Sequence, residues 1–383
     1  MSGSPVYITD LGKFLPNAPV GNEAIESVLG MIGGRPSRAK RLTLRNNGIV
    51  QRFYAIDPST GAPTHNNAQL TAQAIREALA HGGLSIADVD VLACGTSSPD
   101  QLKPAHAHMV HGELGGAPLE VVSTAGVCSA GMAALKYGYL AVKAGEADRT
   151  VTTGSELASS FMAARNFGPE SDDRVADAER CPALAFEKDF LRWMLSDGAG
   201  AAVLAREPKR DGVSLRIDWV ESTSLAHELP VCMYSGAIKQ PDGRLRGWRE
   251  AANPLDMVRE HYLAVKQDAR LLDELITRLV APDTLGAIAA RRGLAPAQVD
   301  WFLPHFSSLY FRPRLVESLA GAGFEIPAER WFNNLPMVGN VGSASIYLML
   351  EELLYSGRLT RGQRILCFVP ESARFSVFFM LLT

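Results

Sequence analysis

The chain has 383 residues, 47% of them hydrophobic, and a formal net charge of −3. That length supports a large core with two domains or two halves of one, and the small net charge argues against nucleic acid as a bulk partner and against a polybasic membrane anchor. No run reaches the ~18 apolar residues of a spanning helix, and the start "MSGSPVYITD" lacks the regions of a signal peptide, so a cytoplasmic protein is expected.

In chain order, apolar β-rich runs alternate with helical patterns. "DVDVLACGTSS" (88–98) and "LEVVST" (119–124) read as strands, followed by a helix over about 129–145 and further strands in "DRTVTTGSE" (148–156) and "DGAGAAVLARE" (197–207). The alternation predicts an α/β protein of βαβ units with a mostly parallel sheet. Helix 129–145 carries only Lys136 and Lys143 as charges, both on one side, so it is expected to be buried on most faces. After about Lys209 the pattern restarts. "VSLRIDWVES" (213–222) is followed by long helical stretches over 254–292, "VDWFLPHFS" (299–307), a helix over 312–320, and the strands "RILCFVPES" (364–372) and "FSVFFMLLT" (375–383). Two similar halves are the reading this repetition supports.

Cys94, Cys128, Cys181, Cys232 and Cys367 are few, odd in number and widely spaced, with no CxxC pair, so neither a disulfide framework nor a zinc site is expected. His106, His108 and His111 crowd one segment without a partnering carboxylate or cysteine motif, and no metal site is expected there.

Cys128 stands between a β-type run and a helix of small residues in "EVVSTAGVCSAGMAALKYGYLAVKAG" (120–145). Free N–H groups and partial positive charge at a helix start favour thiolate over thiol, which suits a nucleophile for acyl transfer. A free cysteine is also often a small buried hydrophobe. The second half offers two partners at the ends of strand-like runs, His305 in "DWFLPHFSS" and Asn340 in "NNLPMVGNVGSAS". Ligand sites of open α/β sheets gather at such ends, although a structural histidine and a turn asparagine remain alternatives.

These stretches resemble the thiolase-superfamily condensing enzymes, and most closely β-ketoacyl-acyl-carrier-protein synthase III. "VCSAG" at Cys128, "PHFSS" at His305 and "GNVGSAS" at Asn340 match that family's cysteine, histidine and asparagine motifs. "NGIVQR" (47–52), "SSPDQLKP" (97–104) and "SDGAGAAVL" (196–204) match further motifs in the family's order, from about Val6 to Thr383. The resemblance implies a thiolase-like fold: two similar βαβαβ halves in a layered α-β-α-β-α core, residues 1–208 bearing the nucleophile and 209–383 the His and Asn. It implies that Cys128 takes an acyl group from a coenzyme A or acyl-carrier-protein thioester. His305 and Asn340 would then donate hydrogen bonds to the enolate oxygen of a second thioester, which attacks acyl-Cys128 while backbone N–H groups hold the oxyanion. No metal or redox cofactor is implied, and a homodimer is.

The departures from the family are informative. Ser308 stands where an Asn is usual, and the family's C-terminal "GGGF" loop reads "PESARF" (370–375), which puts the oxyanion N–H on Ser372 and places Glu371 and Arg374 beside the site. "PESARF", the stretch near residue 46 and "THNNAQLTAQAI" (64–75) resemble the branch that joins an acyl thioester to a β-ketoacyl thioester and closes a cyclohexanedione or resorcinol ring. Glu156, after a strand expected beside the nucleophile's, would be the base removing a β-ketoacyl α-proton, or else an ion-paired strand-end carboxylate. Between Glu26 and Asp57 no acidic residue occurs, while Arg35, Arg38, Lys40, Arg41, Arg45 and Arg52 do, a docking surface for acidic carrier protein or coenzyme A phosphates. The acidic stretch "PESDDRVADAER" (169–180) is expected at the surface or a dimer rim. A linear chain-initiating synthase, or an acyltransferase to oxygen or nitrogen, uses the same residues.

Overall fold

The computed structural model describes residues 4–37, 40–167 and 191–383. Arg38, Cys181 and the acidic stretch 169–180 lie outside the described residues. Nine strands share one ladder: β1 Tyr7–Phe14, β2 Val91–Thr96, β3 Glu120–Ala125, β4 Arg149–Glu156, β5 Gly198–Ala205, β6 Leu215–Ser224, β7 Trp301–Pro304, β8 Ile365–Glu371 and β9 Ser376–Leu382. Their spatial order is β7-β8-β9-β6-β1-β5-β4-β2-β3.

The two halves repeat one pairing scheme. In the first, β1 is antiparallel to β5, β5 antiparallel to β4, β4 parallel to β2 and β2 parallel to β3. In the second, β6 is antiparallel to β9, β9 antiparallel to β8, β8 parallel to β7, and Phe302 of β7 makes a parallel bridge to Trp331 where a fifth strand would lie. The halves meet at β1–β6 through Tyr7–Arg216 and Ile8–Leu215. The connection between β5 and β6 contains residue 208.

The sheet is mixed rather than mostly parallel. Alternating elements predict crossovers, but β8 and β9 are joined by only Ser372–Phe375, a span that permits only an antiparallel return. Helical structure over 254–292 is broken into shorter pieces than the long stretches expected. It comprises Pro254–Arg259, Ala269–Leu275, Ile276–Val280, Pro282–Gly286 and Ala287–Arg292, with a short strand at Lys266–Gln267. Pro254 and Pro282 each open a segment, since proline cannot supply an interior helical N–H.

Among the described residues, six longer helices frame the sheet: α1 Lys40–Asn47, α2 Asn67–His81, α3 His106–Leu114, α4 Ala130–Ala144, α5 Arg312–Gly321 and α6 Ser345–Tyr355. Asn66 and Gln69 cap the start of α2 reciprocally, and Gly145, left-handed at φ 87°, ends α4. Helices α4 and α6 form the middle layer. Leu135 of α4 and Leu350 of α6 pack in one core with Ile8 and Leu204 of the first half and Ile217 and Met380 of the second. Each such aliphatic side chain contributes about 1.5–3 kcal/mol on burial, which ties the halves together through the helices between them. Helices α2 and α3 cover the outer face of the first half, and α5 and the 269–292 segments that of the second.

That middle layer fixes where the site can be. Gly131 of α4 and Gly154 of β4 both face the carbonyl oxygen of Ser343, and a Cβ on them would stand 2.3 and 2.1 Å from it. Tyr347 Oη donates to Gly131 O at 2.8 Å. The chain that follows Asn340 is therefore laid against the helix that follows Cys128.

Candidate active site

Cys128 sits in the turn between β3 and α4, two residues before the first helical residue, and is 8% exposed. It lies on the wall between two cavities. The smaller, of about 40 Å³, is lined also by His305, and the larger, of about 380 Å³, by Glu156 and Asn340; Ser307 and Ser372 line both. Residues far apart in sequence thus share cavity walls with Cys128. The larger volume falls in the ~300–1,000 Å³ range of small-molecule sites.

The expectation that the helix start favours thiolate is reversed in the resting protein. Burial pushes the Cys128 thiol up, and the Glu156 and Glu371 carboxylates push it further; backbone N–H hydrogen bonding works the other way and does not prevail. Burial and the two carboxylates thus favour the protonated thiol in the resting protein.

His305 follows β7, its backbone N donating to Phe368 O at 2.8 Å. The ring is 3% exposed, and Nε2 has no hydrogen-bond partner among the described residues. Burial holds its pKa down at about 4, so at neutral pH the imidazole is uncharged, with one N–H and one lone pair to offer. Asn340 is held at both backbone atoms, donating to Met194 O and accepting from Ser196 N, each at 2.9 Å. Its Oδ1 accepts from Gly342 N at 2.9 Å, which leaves the Nδ2 hydrogens as donors.

Glu156 ends β4 and accepts hydrogen bonds from three residues. Ser97 Oγ and Ser98 Oγ donate to Oε2 at 2.5 and 2.9 Å, while Ser97 N and Ser343 N reach Oε1 at 3.3 and 3.2 Å. No cation is among these partners, so the simple ion-pair alternative does not describe it. Burial nevertheless raises its pKa against those hydrogen bonds, a direction that suits a base. The motif "SSPDQLKP" contains Ser97 and Ser98, but its bearing on Glu156 was not legible before the strands were placed. Gly342, at φ 48°, passes so close that a Cβ would stand 2.7 Å from Glu156 Oε1.

The Ser372–Phe375 turn is braced from within and from outside. Glu371 accepts from Ala373 N at 2.7 Å and Arg374 N at 3.3 Å, and Ala373 O accepts from Cys232 N and Met233 N at 2.8 and 3.1 Å. Arg374 turns away, its Nε donating to Ala226 O at 3.3 Å. Ser308, in the asparagine's place, accepts from Tyr310 N and opens the turn before α5.

The basic stretch divides. Arg35, Arg41 and Arg45 are exposed. Arg52 is not a docking residue: it is fully buried, donates twice to Trp193 O and once to Asn22 Oδ1 at 2.7 Å, and burial lowers its pKa to about 10. Asn47 Nδ2 reaches the same Trp193 O at 2.9 Å. "NGIVQR" therefore supports the Trp193–Ser196 backbone that holds Asn340. Lys40 is turned inward too, paired with Glu26 at 3.2 Å and lying 5.9 Å from the Trp193 ring centre.

Comparison with known proteins agrees with the fold described above. The family 3-oxoacyl-[acyl-carrier-protein] synthase III C terminal matches residues 289–369, and the thiolase N-terminal domain matches 58–182. β-Ketoacyl-[acyl-carrier-protein] synthase III 1 of Deinococcus radiodurans is 25% identical over 364 residues, covering 95% of this chain and 89% of that protein. The synthase III of Rhodospirillum centenum is 27% identical over 365 residues, covering 94% and 93%. Among solved structures, the 3-oxoacyl-(acyl carrier protein) synthase III of Xanthomonas oryzae superposes with a TM-score of 0.75 at 21% identity over 100% of both chains. The tetronic acid condensing enzyme AbyA1 gives 0.72 at 22% identity over 98% of this chain and 99% of its own. The chain thus carries matches to both of these family models, is similar along nearly its whole length to condensing enzymes of the β-ketoacyl-acyl-carrier-protein synthase III kind, and is an acyltransferase.

Proposed function

We propose that the protein forms an acyl-Cys128 thioester and condenses it with a β-ketoacyl thioester, after which the product closes to a cyclohexanedione or resorcinol precursor. The observation that carries this reading is the 380 Å³ cavity, which puts Glu156 and Asn340 on the same walls as Cys128. In the first step the Cys128 sulfur attacks the donor carbonyl, and the donor's thiol leaves with the proton. In the second, Glu156 takes the α-proton of the β-ketoacyl thioester, and the enolate oxygen accepts from Asn340 Nδ2 and from neutral His305. The α-carbon attacks the acyl carbonyl, a C–C bond forms and the Cys128 thiolate leaves. With an α,β-unsaturated acyl donor, loss of a proton from the γ-carbon of that acyl chain lets this carbon attack the carrier thioester carbonyl, which forms a second C–C bond, closes a six-membered ring and expels the carrier thiol.

Backbone N–H of Cys128 and Ser372 are the oxyanion donors in this scheme. All groups used belong to the chain or to its two thioesters, so the scheme calls for no cofactor or metal. Arg35, Arg41 and Arg45 are the remaining docking candidates for an acyl carrier protein or coenzyme A. Strand β3 is an edge strand with partly exposed residues, next to exposed Tyr137 and Leu140 on α4, a face suited to a second copy of the chain.

Product analysis after loading with acyl-coenzyme A and adding a β-ketoacyl thioester tests the reading. A cyclic diketone is the expected product. A linear β-ketoacyl thioester formed only from malonyl thioester would instead make the protein a chain initiator, and an ester or amide would make it an acyltransferase to oxygen or nitrogen.

A further inference from the structure

We propose that Gln267 determines specificity for the second substrate by donating a hydrogen bond to its 3-oxo group; this rests on the condensing reading above. Gln267 is 4% exposed and lies on the short strand Lys266–Gln267, antiparallel to Met233–Tyr234. It lines the larger cavity with Cys128, Glu156 and Asn340, beside the apolar Met233, Leu263 and Val265 and the polar Tyr234 and Ser235. Its Nε2 donates to Ser372 Oγ at 3.3 Å, and the carboxamide has no other side-chain partner among the described residues. A carboxamide carries two N–H donors and a carbonyl acceptor, so one donor remains for the cavity. Buried polar groups are satisfied by partners, and Gln267 lines the space the substrate enters.

The geometry of a β-ketoacyl thioester supplies that partner. With its thioester oxygen toward Asn340 and His305 and its C2 toward Glu156, the C3 carbonyl continues into the same cavity. Removing the C2 proton spreads charge over both oxygens, and an N–H on the C3 oxygen stabilises that charge as it develops. A malonyl thioester differs because its C3 carboxylate leaves as carbon dioxide, and the enolate that attacks has no C3 oxygen. Gln267 thus favours the β-ketoacyl thioester over the malonyl thioester, whereas its bond to Ser372 serves both alike.

The test compares kcat/KM for a β-ketoacyl thioester and for malonyl thioester on Cys128-acylated enzyme, wild type beside Gln267→Met. Acylation of the variant is checked by intact mass, and Gln267→Leu carries the same comparison if Met fails to fold. The expected result is a fall of tenfold or more in the ratio of the two substrates. A ratio within twofold of wild type, whether both activities fall or neither does, overturns the inference and leaves the condensing reading standing. A wild-type enzyme that takes no β-ketoacyl thioester overturns both.

Discussion

The carbonyl oxygen of Ser343 lies so near Gly154 that a single methyl group there would stand 2.1 Å from it, well inside contact distance. Ser343 in turn donates its N–H to Glu156 at 3.2 Å and its Oγ to Ser155 O at 2.9 Å. One glycine therefore sets the depth at which the Asn340–Ser343 segment can approach β4. Gly154→Ala is expected to destabilise the protein by about 1–3 kcal/mol, in the range of overpacked cores, and to lower condensation at least tenfold. Denaturant unfolding and steady-state rates check both; unchanged activity would mean that the segment can shift without consequence.

Glu156 and Cys128 are coupled through charge. Because the carboxylate pushes the thiol up, Glu156→Gln is expected to speed iodoacetamide alkylation of Cys128 several-fold at pH 8 while abolishing turnover of β-ketoacyl thioesters. In the wild type, alkylation should rise through the alkaline range without a plateau below pH 7. A low-pH plateau would show that the helix start dominates after all.

Buried histidines give stability a pH dependence with a definite sign. His106 is 3% exposed, and burial lowers its pKa from 6.5 to about 4. Between those values the unfolded chain binds a proton that the folded chain refuses, so this contribution is present above pH 6.5 and is lost as pH falls through 4. Asp197 acts oppositely: its pKa is raised from 3.8 to about 6 by burial, so the folded chain gains stability relative to the unfolded as pH falls across that interval. The wild-type profile is therefore flatter than the histidines alone would make it. His106→Asn should gain on wild type by up to about 3 kcal/mol between pH 7 and pH 4 in urea unfolding. Parallel curves would contradict it.

The basic stretch separates under mutation. Arg52→Ala, which removes three donated hydrogen bonds from a buried site, should cost about 3 kcal/mol of stability in urea unfolding. Arg41→Glu with Arg45→Glu should leave stability within about 0.5 kcal/mol and weaken turnover with carrier-protein thioesters several-fold, with less effect on a short acyl-thioester mimic. Wild-type carrier-protein turnover should itself fall with salt. Equal losses with both donors would remove the docking role.

Much of this was legible in the sequence, and its gaps have physical reasons. Strands such as Val91–Thr96 and Arg149–Glu156, and the helix after Cys128, announce themselves by local pattern, and the motifs at Cys128, His305 and Asn340 fall on the walls of the two cavities that Cys128 lines. Strand direction is not written in periodicity, so the mixed sheet was missed. Arg52 belongs to a run that reads as surface, and only its contact with Trp193, far along the chain, reveals the burial. Gln267 lies in a strand of two residues, too short to leave a pattern, and its partner Ser372 is over a hundred positions away.

The central claim is that Cys128 carries the acyl group, and intact-mass spectrometry after incubation with acyl-coenzyme A donors of several lengths tests it most directly, wild type beside Cys128→Ala. The account predicts an adduct of the acyl mass on the wild type, absent from the variant, that disappears on addition of β-ketoacyl thioester. No adduct from any donor, or the same adduct on Cys128→Ala, would contradict it and return Cys128 to the role of a buried structural thiol.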